Sequence, residues 1–274
     1  MSFPDLPPLR EVIARHQLDA RKSLGQHFLL DGNLTARIVR TADDLAGRNV
    51  IEVGPGPGGL TRALLASAAA QVVAIEIDPR AVAAIAELAP HASGRLRVIE
   101  GDALAMDLPA LVPAPRQIIA NLPYNVATPL LIRWLREAGA YERLTLMFQL
   151  EVAERIVAAP GTAAYGRLSV LARLVAAPRI VLRLPAAAFT PAPKVASAVV
   201  QLTPHAVQPA PTLVAAMERL TAAAFGQRRK MLRGALAGLG GEALLDAAGI
   251  AGTRRAETLE IAEFMRLAER IAAG

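Results

Sequence analysis

The sequence predicts an α/β protein: a largely parallel sheet covered by helices on both faces, followed by a small all-helical C-terminal domain. Two observations carry this. Short apolar runs alternate with helix-forming stretches over most of the chain, and from Leu213 onward it is helix-rich with glycine breaks at Gly226, Gly238 to Gly241 and Gly249 to Gly252. Apolar residues make up 53% of the 274 and charged residues 20%, enough to build a buried core.

The elements follow in order. Residues 9 to 20 suit a short amphipathic helix, which SLGQHFL at 23 to 29 interrupts before a helix-like stretch at 34 to 39. Asn49 to Val53 (NVIEV) is an apolar strand that runs directly into GPGPGG, and residues 60 to 69 return to helix. The unit repeats with a strand at 72 to 77 and a helix at 79 to 88, whose first turn tolerates Pro79 because its missing N–H has no partner there. Further strands are expected at 96 to 99, 117 to 120 and 144 to 148, with helices at 129 to 138, 151 to 157 and 167 to 176. Residues 179 to 184 and 197 to 203 suggest a closing hairpin. The linker candidate PHAVQPAP at 204 to 211 then places the boundary between domains 1 to 204 and 205 to 274.

Composition excludes several chemistries. The chain has no cysteine, which removes disulfides, thiol nucleophiles and cysteine-bound zinc or iron–sulfur centres. Its four histidines, His16, His27, His91 and His205, are far apart, so no metal site is expected. Thirty Lys and Arg against 24 Asp and Glu give +6, which suits a polyanionic partner without identifying it. The acid- and proline-bearing opening does not resemble a secretory signal, and the longest uncharged stretch, Val195 to Met217, holds three prolines. A soluble cytoplasmic protein is expected, with no membrane partner.

The glycine loop points to a nucleotide-like ligand. Gly54, Gly56 and Gly59 satisfy G-x-G-x-x-G, and Glu52 to Gly58 also reads as E-x-G-x-G-x-G; glycines let main-chain donors approach a ligand at a helix start. Glu76, ending the second strand, can accept hydrogen bonds from a ribose diol, although an ordinary surface acid would look the same. To this point a nicotinamide enzyme and an S-adenosylmethionine enzyme fit about equally. Asp102, after the third strand, can read an exocyclic adenine amine or simply cap a turn.

Asn121-Leu122-Pro123-Tyr124 follows the fourth strand, at the sheet edge where open α/β folds bind ligands. An aromatic amine is a poor nucleophile, so a methyl-transfer site needs orientation more than a strong base. The Asn121 side-chain oxygen and the Leu122 carbonyl can each accept one N–H of such an amine and favour the positive charge that develops on it. Tyr124 can stack on the target base. No general base is required, and His27 reads as a pocket wall or packing residue.

These motifs resemble the ribosomal RNA small-subunit adenine N6,N6-dimethyltransferase family. SLGQHFL at 23 to 29, IEVGPGPGGLT at 51 to 61, EID at 76 to 78, GDAL at 101 to 104 and NLPYNVATPLL at 121 to 131 stand in its order. FQLEVAERI, YGRLSV, FTPAPKVASAV at 189 to 199 and RRKMLRGAL at 228 to 236 extend the likeness over nearly the whole chain. The resemblance implies a Rossmann-like S-adenosylmethionine-dependent methyltransferase domain with cofactor contacts from His27, Leu29, Gly54, Glu76, Asp102 and Asn121. It also implies a target-base site of Asn121, Leu122, Tyr124 and Phe189. Phe189 has a rival role in sealing the core.

The implied reaction places two methyl groups on N6 of each of two adjacent adenosines in a hairpin loop near the 3′ end of small-subunit (16S) rRNA. The implied partner is an immature 30S particle late in assembly. Arg228, Arg229, Lys230 and Arg233, in a helix-prone run with no acid between them, are candidates to grip RNA phosphate, with Arg219 nearby; Arg21 and Lys22 are weaker candidates. A DNA adenine methyltransferase, a large-subunit rRNA dimethyltransferase and an assembly factor without catalysis are the competing readings. A monomer is expected, since no long heptad or unpaired apolar face calls for a second copy.

Overall fold

The computed structural model describes residues 6–18, 27–227 and 229–273. The chain divides into two compact units, Met1–Ala153 with Arg179–Thr203, and Glu154–Pro178 with Pro204–Gly274.

The first unit opens with α1 (Leu9–Arg15), which stops five residues short of its expected end. Then come β1 (Phe28–Leu29) and α2 (Gly32–Arg40). Asp31 caps α2 by accepting from the main-chain N–H of Asn33 and Leu34. Repeating βα units follow: β2 (Asn49–Val53), α3 (Gly59–Ala66), β3 (Gln71–Glu76), α4 (Pro79–Ala86), β4 (Leu96–Glu100), β5 (Arg116–Asn121), α5 (Tyr124–Arg136), β6 (Arg143–Gln149) and α6 (Leu150–Val157). The remaining elements are α7 (Arg167–Val175), β7 (Ala176–Leu184), β8 (Phe189–Thr190), β9 (Ser197–Pro204), α8 (Pro211–Gly226), α9 (Leu232–Ala235), α10 (Gly241–Ala247) and α11 (Ile261–Ala273).

Seven strands make one sheet in the order β4-β3-β2-β5-β6-β9-β7. β4, β3, β2, β5 and β6 run parallel, and β9 enters antiparallel to β6 with Leu146 opposite Val200. The expected closing hairpin is present as the neighbouring pair β9 and β7, with β9 on the inner side. Central strands are covered on both faces, which explains why all five residues of NVIEV are buried while edge strand β4 is only partly so.

From β2 the chain builds outward to β3 and β4 on one side and then returns to add β5 and β6 on the other. The carboxyl ends of β2 and β5 therefore diverge at a topological switch point, and a crevice opens between them. On one face Leu64 and Ile85 pack in a core with Val50 and Val72, each fully buried. Each such side chain contributes about 1.5–3 kcal/mol.

Two further features of the first unit differ from expectation. The helix after NLPY starts at Tyr124 and not at Pro129, which lies inside it. Pro123, with its φ of −58°, sets the N-cap, so the turn that carries the motif is also the start of the helix. β1 and β8, two residues each, form an unexpected antiparallel ribbon that sets Phe28 opposite Thr190 and Leu29 opposite Phe189. Such short strands leave no periodic signal.

The second unit takes in Glu154–Pro178 as well as the C-terminal helices, so the expected continuous first domain is interrupted, and Pro204 is one of three crossing points. The reason is an aromatic cluster. Phe225 of α8 stacks on Phe264 of α11 at 5.8 Å and meets Tyr165 edge-on at 6.0 Å, and the fully buried Tyr165 donates its hydroxyl to the Leu259 carbonyl. Tyr165, Ser169 and Val170 of the YGRLSV stretch are thus buried in the helical unit. No helix among the described residues is long and apolar enough to cross a membrane.

Candidate active site

A cavity of about 240 Å³ occupies the switch point. Its floor is the glycine turn between β2 and α3. Gly54, Gly56 and Gly58 have φ of +69°, +54° and +91°, the left-handed region where a side chain is strained. Gly59 is required for another reason: a Cβ there would come within 2.5 Å of the Leu29 carbonyl oxygen, so the turn can lie against β1 only without one.

Glu76, at the end of β3, is buried, and its carboxylate is fixed by three main-chain donors. Oε1 accepts from Ile77 at 2.8 Å and Asp78 at 3.0 Å, and Oε2 accepts from Gly56 at 3.1 Å. Of about four lone-pair directions on a carboxylate, the open one is on Oε2. Asp102 caps the turn as one of its sequence readings expected, and it also lines the cavity. Its Oδ1 caps the following turn through the Leu104 N–H at 2.8 Å, and the residue is exposed at the cavity wall.

Asn121 ends β5, and its Nδ2 donates to the main-chain carbonyl of His27 at 3.2 Å. That bond uses the amide's donor side and leaves Oδ1 as the acceptor for a ligand. The His27 ring lies 5.3 Å from the Tyr124 ring at a tilt of 34° and meets Phe189 edge-on at 6.5 Å, while its Nδ1 is 2.8 Å from the Pro191 carbonyl. The β1–β8 ribbon makes these contacts possible by bringing residues some 160 positions apart into register.

The cavity wall includes His27, Leu29, Gly54, Glu76, Asp102 and Asn121, the six expected cofactor residues, together with Leu122 and Tyr124. Phe189 is placed differently: it is buried in the core behind His27 and bounds the cavity through that ring. Residues 19–26, which include Arg21, Lys22 and most of SLGQHFL, lie outside the described residues, as does Arg228. Arg229, Lys230 and Arg233 are exposed, as is Arg219. The break expected at Gly226 is present, and the helix-prone run after it is helical only from Leu232. α8 ends at Gly226 and the four-residue α9 begins at Leu232, so Arg229 and Lys230 sit on the connecting turn.

Glu52 is a cavity residue whose chemistry the motif reading did not anticipate. It is 1% exposed, neither carboxyl oxygen has a hydrogen-bond partner among the described residues, and burial pushes its pKa up to about 8. The nearby Thr61 hydroxyl opposes that rise without completing a hydrogen bond, and the charge of Glu76 adds to it. The sequence signal was an acid inside an otherwise apolar strand. A buried acid without a partner among the described residues leaves a polar group at the cavity that a donor or cation of a ligand can satisfy, while the main-chain donors of the glycine turn suit a ligand's acceptors. S-adenosylmethionine, with an ammonium, a sulfonium, a ribose diol and an adenine amine, is a ligand whose donors and charges these acids can hold. No cluster of metal-ligating side chains occurs among the described residues.

Solved structures share this architecture. A dimethyladenosine transferase from Plasmodium falciparum matches with a TM-score of 0.73 and 25% identity over 88% of this chain and 96% of its own. The 23S rRNA methyltransferase ErmE matches with a TM-score of 0.68 and 28% identity over 89% and 99%. The fold is thus the Rossmann-like one of S-adenosylmethionine-dependent methyltransferases, with a helical C-terminal region.

Sequence narrows the class to a family. Ribosomal RNA small subunit methyltransferase A of Gluconobacter oxydans (strain 621H) is 62% identical over 96% of this chain and 87% of its own length. Its counterpart in Chelativorans sp. (strain BNC1) is 58% identical over 99% and 100%. The model of the ribosomal RNA adenine dimethylase family matches residues 17–273, and the chain belongs to that family of ribosomal RNA adenine methyltransferases.

Proposed function

We propose that this protein transfers methyl groups from S-adenosylmethionine to N6 of two adjacent adenosines in the 3′-terminal hairpin loop of small-subunit rRNA, giving N6,N6-dimethyladenosine. Its substrate on this reading is the immature 30S particle late in assembly, met by a monomer in the cytoplasm. The observation that carries the reading is the Asn121 to His27 bond, which commits the amide nitrogen and leaves Oδ1 to receive an amine N–H. The small-subunit assignment is supported by relatives of that name at 58–62% identity over almost the full chain.

The cofactor supplies an electrophilic methyl group on a sulfonium. Glu76 would hold its ribose, Asp102 its adenine, and His27, Leu29, Gly54 and Asn121 would complete its wall. At the base site Asn121 Oδ1 and the Leu122 carbonyl each accept one N–H of the adenine amine, turning the nitrogen toward the cofactor side of the crevice. Both dipoles favour the positive charge that grows on nitrogen during attack, and they are in place beforehand because Asn121 is anchored. Tyr124 supplies a stacking face for the base, with His27 and Phe189 behind it. The alkylated nitrogen then loses its proton to water, so no protein base is needed. Arg229, Lys230 and Arg233, with Arg228, would grip phosphate and position the RNA while the flipped adenosine enters the crevice.

The test is transfer of labelled methyl to unmodified 30S particles, with nucleoside analysis and mapping. Dimethyladenosine at two neighbouring positions near the 3′ end is expected. Label confined to large-subunit RNA or to duplex DNA would replace the substrate assignment, and particle binding without transfer would leave an assembly factor.

A further inference from the structure

The Tyr124 hydroxyl is tied to a buried serine from a distant strand. Its oxygen lies 2.6 Å from Oγ of Ser197, which is completely buried at the start of β9. The serine sits on a rigid support. Ser197 is in register with Gln149 of β6, and the carbonyl of the preceding Ala196 accepts from Leu150 N at 2.9 Å. Tyr124 is half-buried, and burial holds its phenol above the usual range while the Ser197 bond opposes that shift.

A base-stacking face needs only an aromatic ring, and phenylalanine would provide one without a hydroxyl to satisfy. The hydroxyl here meets a serine that water does not reach, an arrangement that costs desolvation unless the bond is made. What the bond adds is an end stop. Tyr124 stands on the first residue of α5, where the main chain fixes its Cβ, and the His27 ring lies 5.3 Å away on the ring side. With the far end of the ring held by Ser197, rotation about the first side-chain torsion is restricted and the position of the ring axis is set before a base arrives, while the His27 ring beside it limits turning about that axis.

We propose that Ser197 is a positioning residue for methyl transfer, holding the Tyr124 ring at the place where the target adenine stacks. This rests on the reading of Tyr124 as the stacking residue.

The test measures kcat and KM on unmodified 30S particles for Ser197→Ala, Tyr124→Phe, the double variant and Tyr124→Ala. Rates are normalised to the fraction of protein that binds cofactor, so that loss of folded material does not count. Ser197→Ala is expected to lower kcat ~3- to 10-fold, the range of one net hydrogen bond, with particle KM and cofactor Kd within ~2-fold of the parent. Tyr124→Phe breaks the same bond from the other end while keeping the ring, so it should match Ser197→Ala, and the double variant should be no worse than either. Ser197→Thr, which keeps the hydroxyl, should recover most of the rate.

If Ser197→Ala does not fold, Tyr124→Phe with an unchanged kcat overturns the proposal, and a lowered kcat with unchanged cofactor Kd sustains it. Normal kcat in both single variants, with Tyr124→Ala inactive, overturns the positioning role and leaves the stacking role standing. Normal activity in Tyr124→Ala overturns the stacking reading itself. Losses that multiply in the double variant also overturn the proposal, because they show two separate effects and not one shared bond.

Discussion

The side-chain amide of Asn121 is anchored to the main-chain carbonyl of His27, a residue 94 positions earlier in the chain, by a 3.2 Å hydrogen bond. It leaves Oδ1 as the free acceptor of the amide, the atom that the proposed function offers to an incoming amine, so the first prediction concerns it. Asn121→Ala should lower kcat ~10²-fold, the scale for losing one preorganised dipole at a reacting atom. Particle binding, measured by cosedimentation, should change less than ~3-fold, because RNA grip is assigned to other residues. Equal losses in both would remove Asn121 from the chemistry.

Glu52 predicts a pH dependence of stability. Its pKa is about 8 in the folded protein and near the ordinary carboxylate value of 4.5 when unfolded. Between these values the folded state binds the extra proton, so the contribution is fully present below about pH 4.5 and is lost as pH rises through about 8. Cofactor-free protein should therefore lose stability across that window, on the order of a few kcal/mol in total. Glu52→Gln, neutral at every pH, should flatten this part of the curve. Urea titrations from pH 5 to pH 9 measure it, and parallel curves for the two proteins would refute the assignment.

Gly59→Ala should loosen the cofactor site from its floor. The new methyl group would meet the Leu29 carbonyl, a main-chain atom that cannot swing away, so β1 and the neighbouring His27 must shift. Overpacking of this kind costs about 1–3 kcal/mol. Calorimetric titration should show S-adenosylmethionine affinity reduced ~10-fold or more, and an unchanged Kd would mean the turn has slack.

Arg133 of α5 donates to the carbonyls of Leu104 and Met106, tying the loop after Asp102 to the helix that NLPY begins. Arg133→Ala should weaken cofactor binding ~3- to 10-fold by freeing that loop. Arg133→Lys should not restore it, because one ammonium lacks the planar fork that spans two carbonyls. Full rescue by lysine would reduce the effect to charge.

Replacing Arg229, Lys230 and Arg233 together with alanine should weaken particle binding and flatten its salt dependence. Each lost phosphate contact should reduce the slope of log K against log salt by ~0.7–0.9. A weaker complex with the same slope would show that these cations do not touch phosphate.

Much of the site can be read along the chain because it is local. The strand, glycine turn and helix around Gly54, the acids Glu76 and Asp102 at successive strand ends, and NLPY after β5 are each set by a few neighbouring residues. Periodicity is enough to place them at one edge of a parallel sheet. The chemistry of Glu52 was less legible, because a letter in an apolar strand does not say whether its carboxyl finds a partner.

What the sequence alone determined is the sheet, its carboxyl edge and the chemical types standing there, since strand propensity, burial pattern and turn chemistry act over short spans. Tertiary structure alone decided the two-residue ribbon that brings His27 and Phe189 together, the bond from Tyr124 to Ser197, and the recruitment of Tyr165 into the helical unit. Those contacts join residues 60 to 162 positions apart. Their stability comes from packing and desolvation at places where the chain meets itself, which no local pattern encodes.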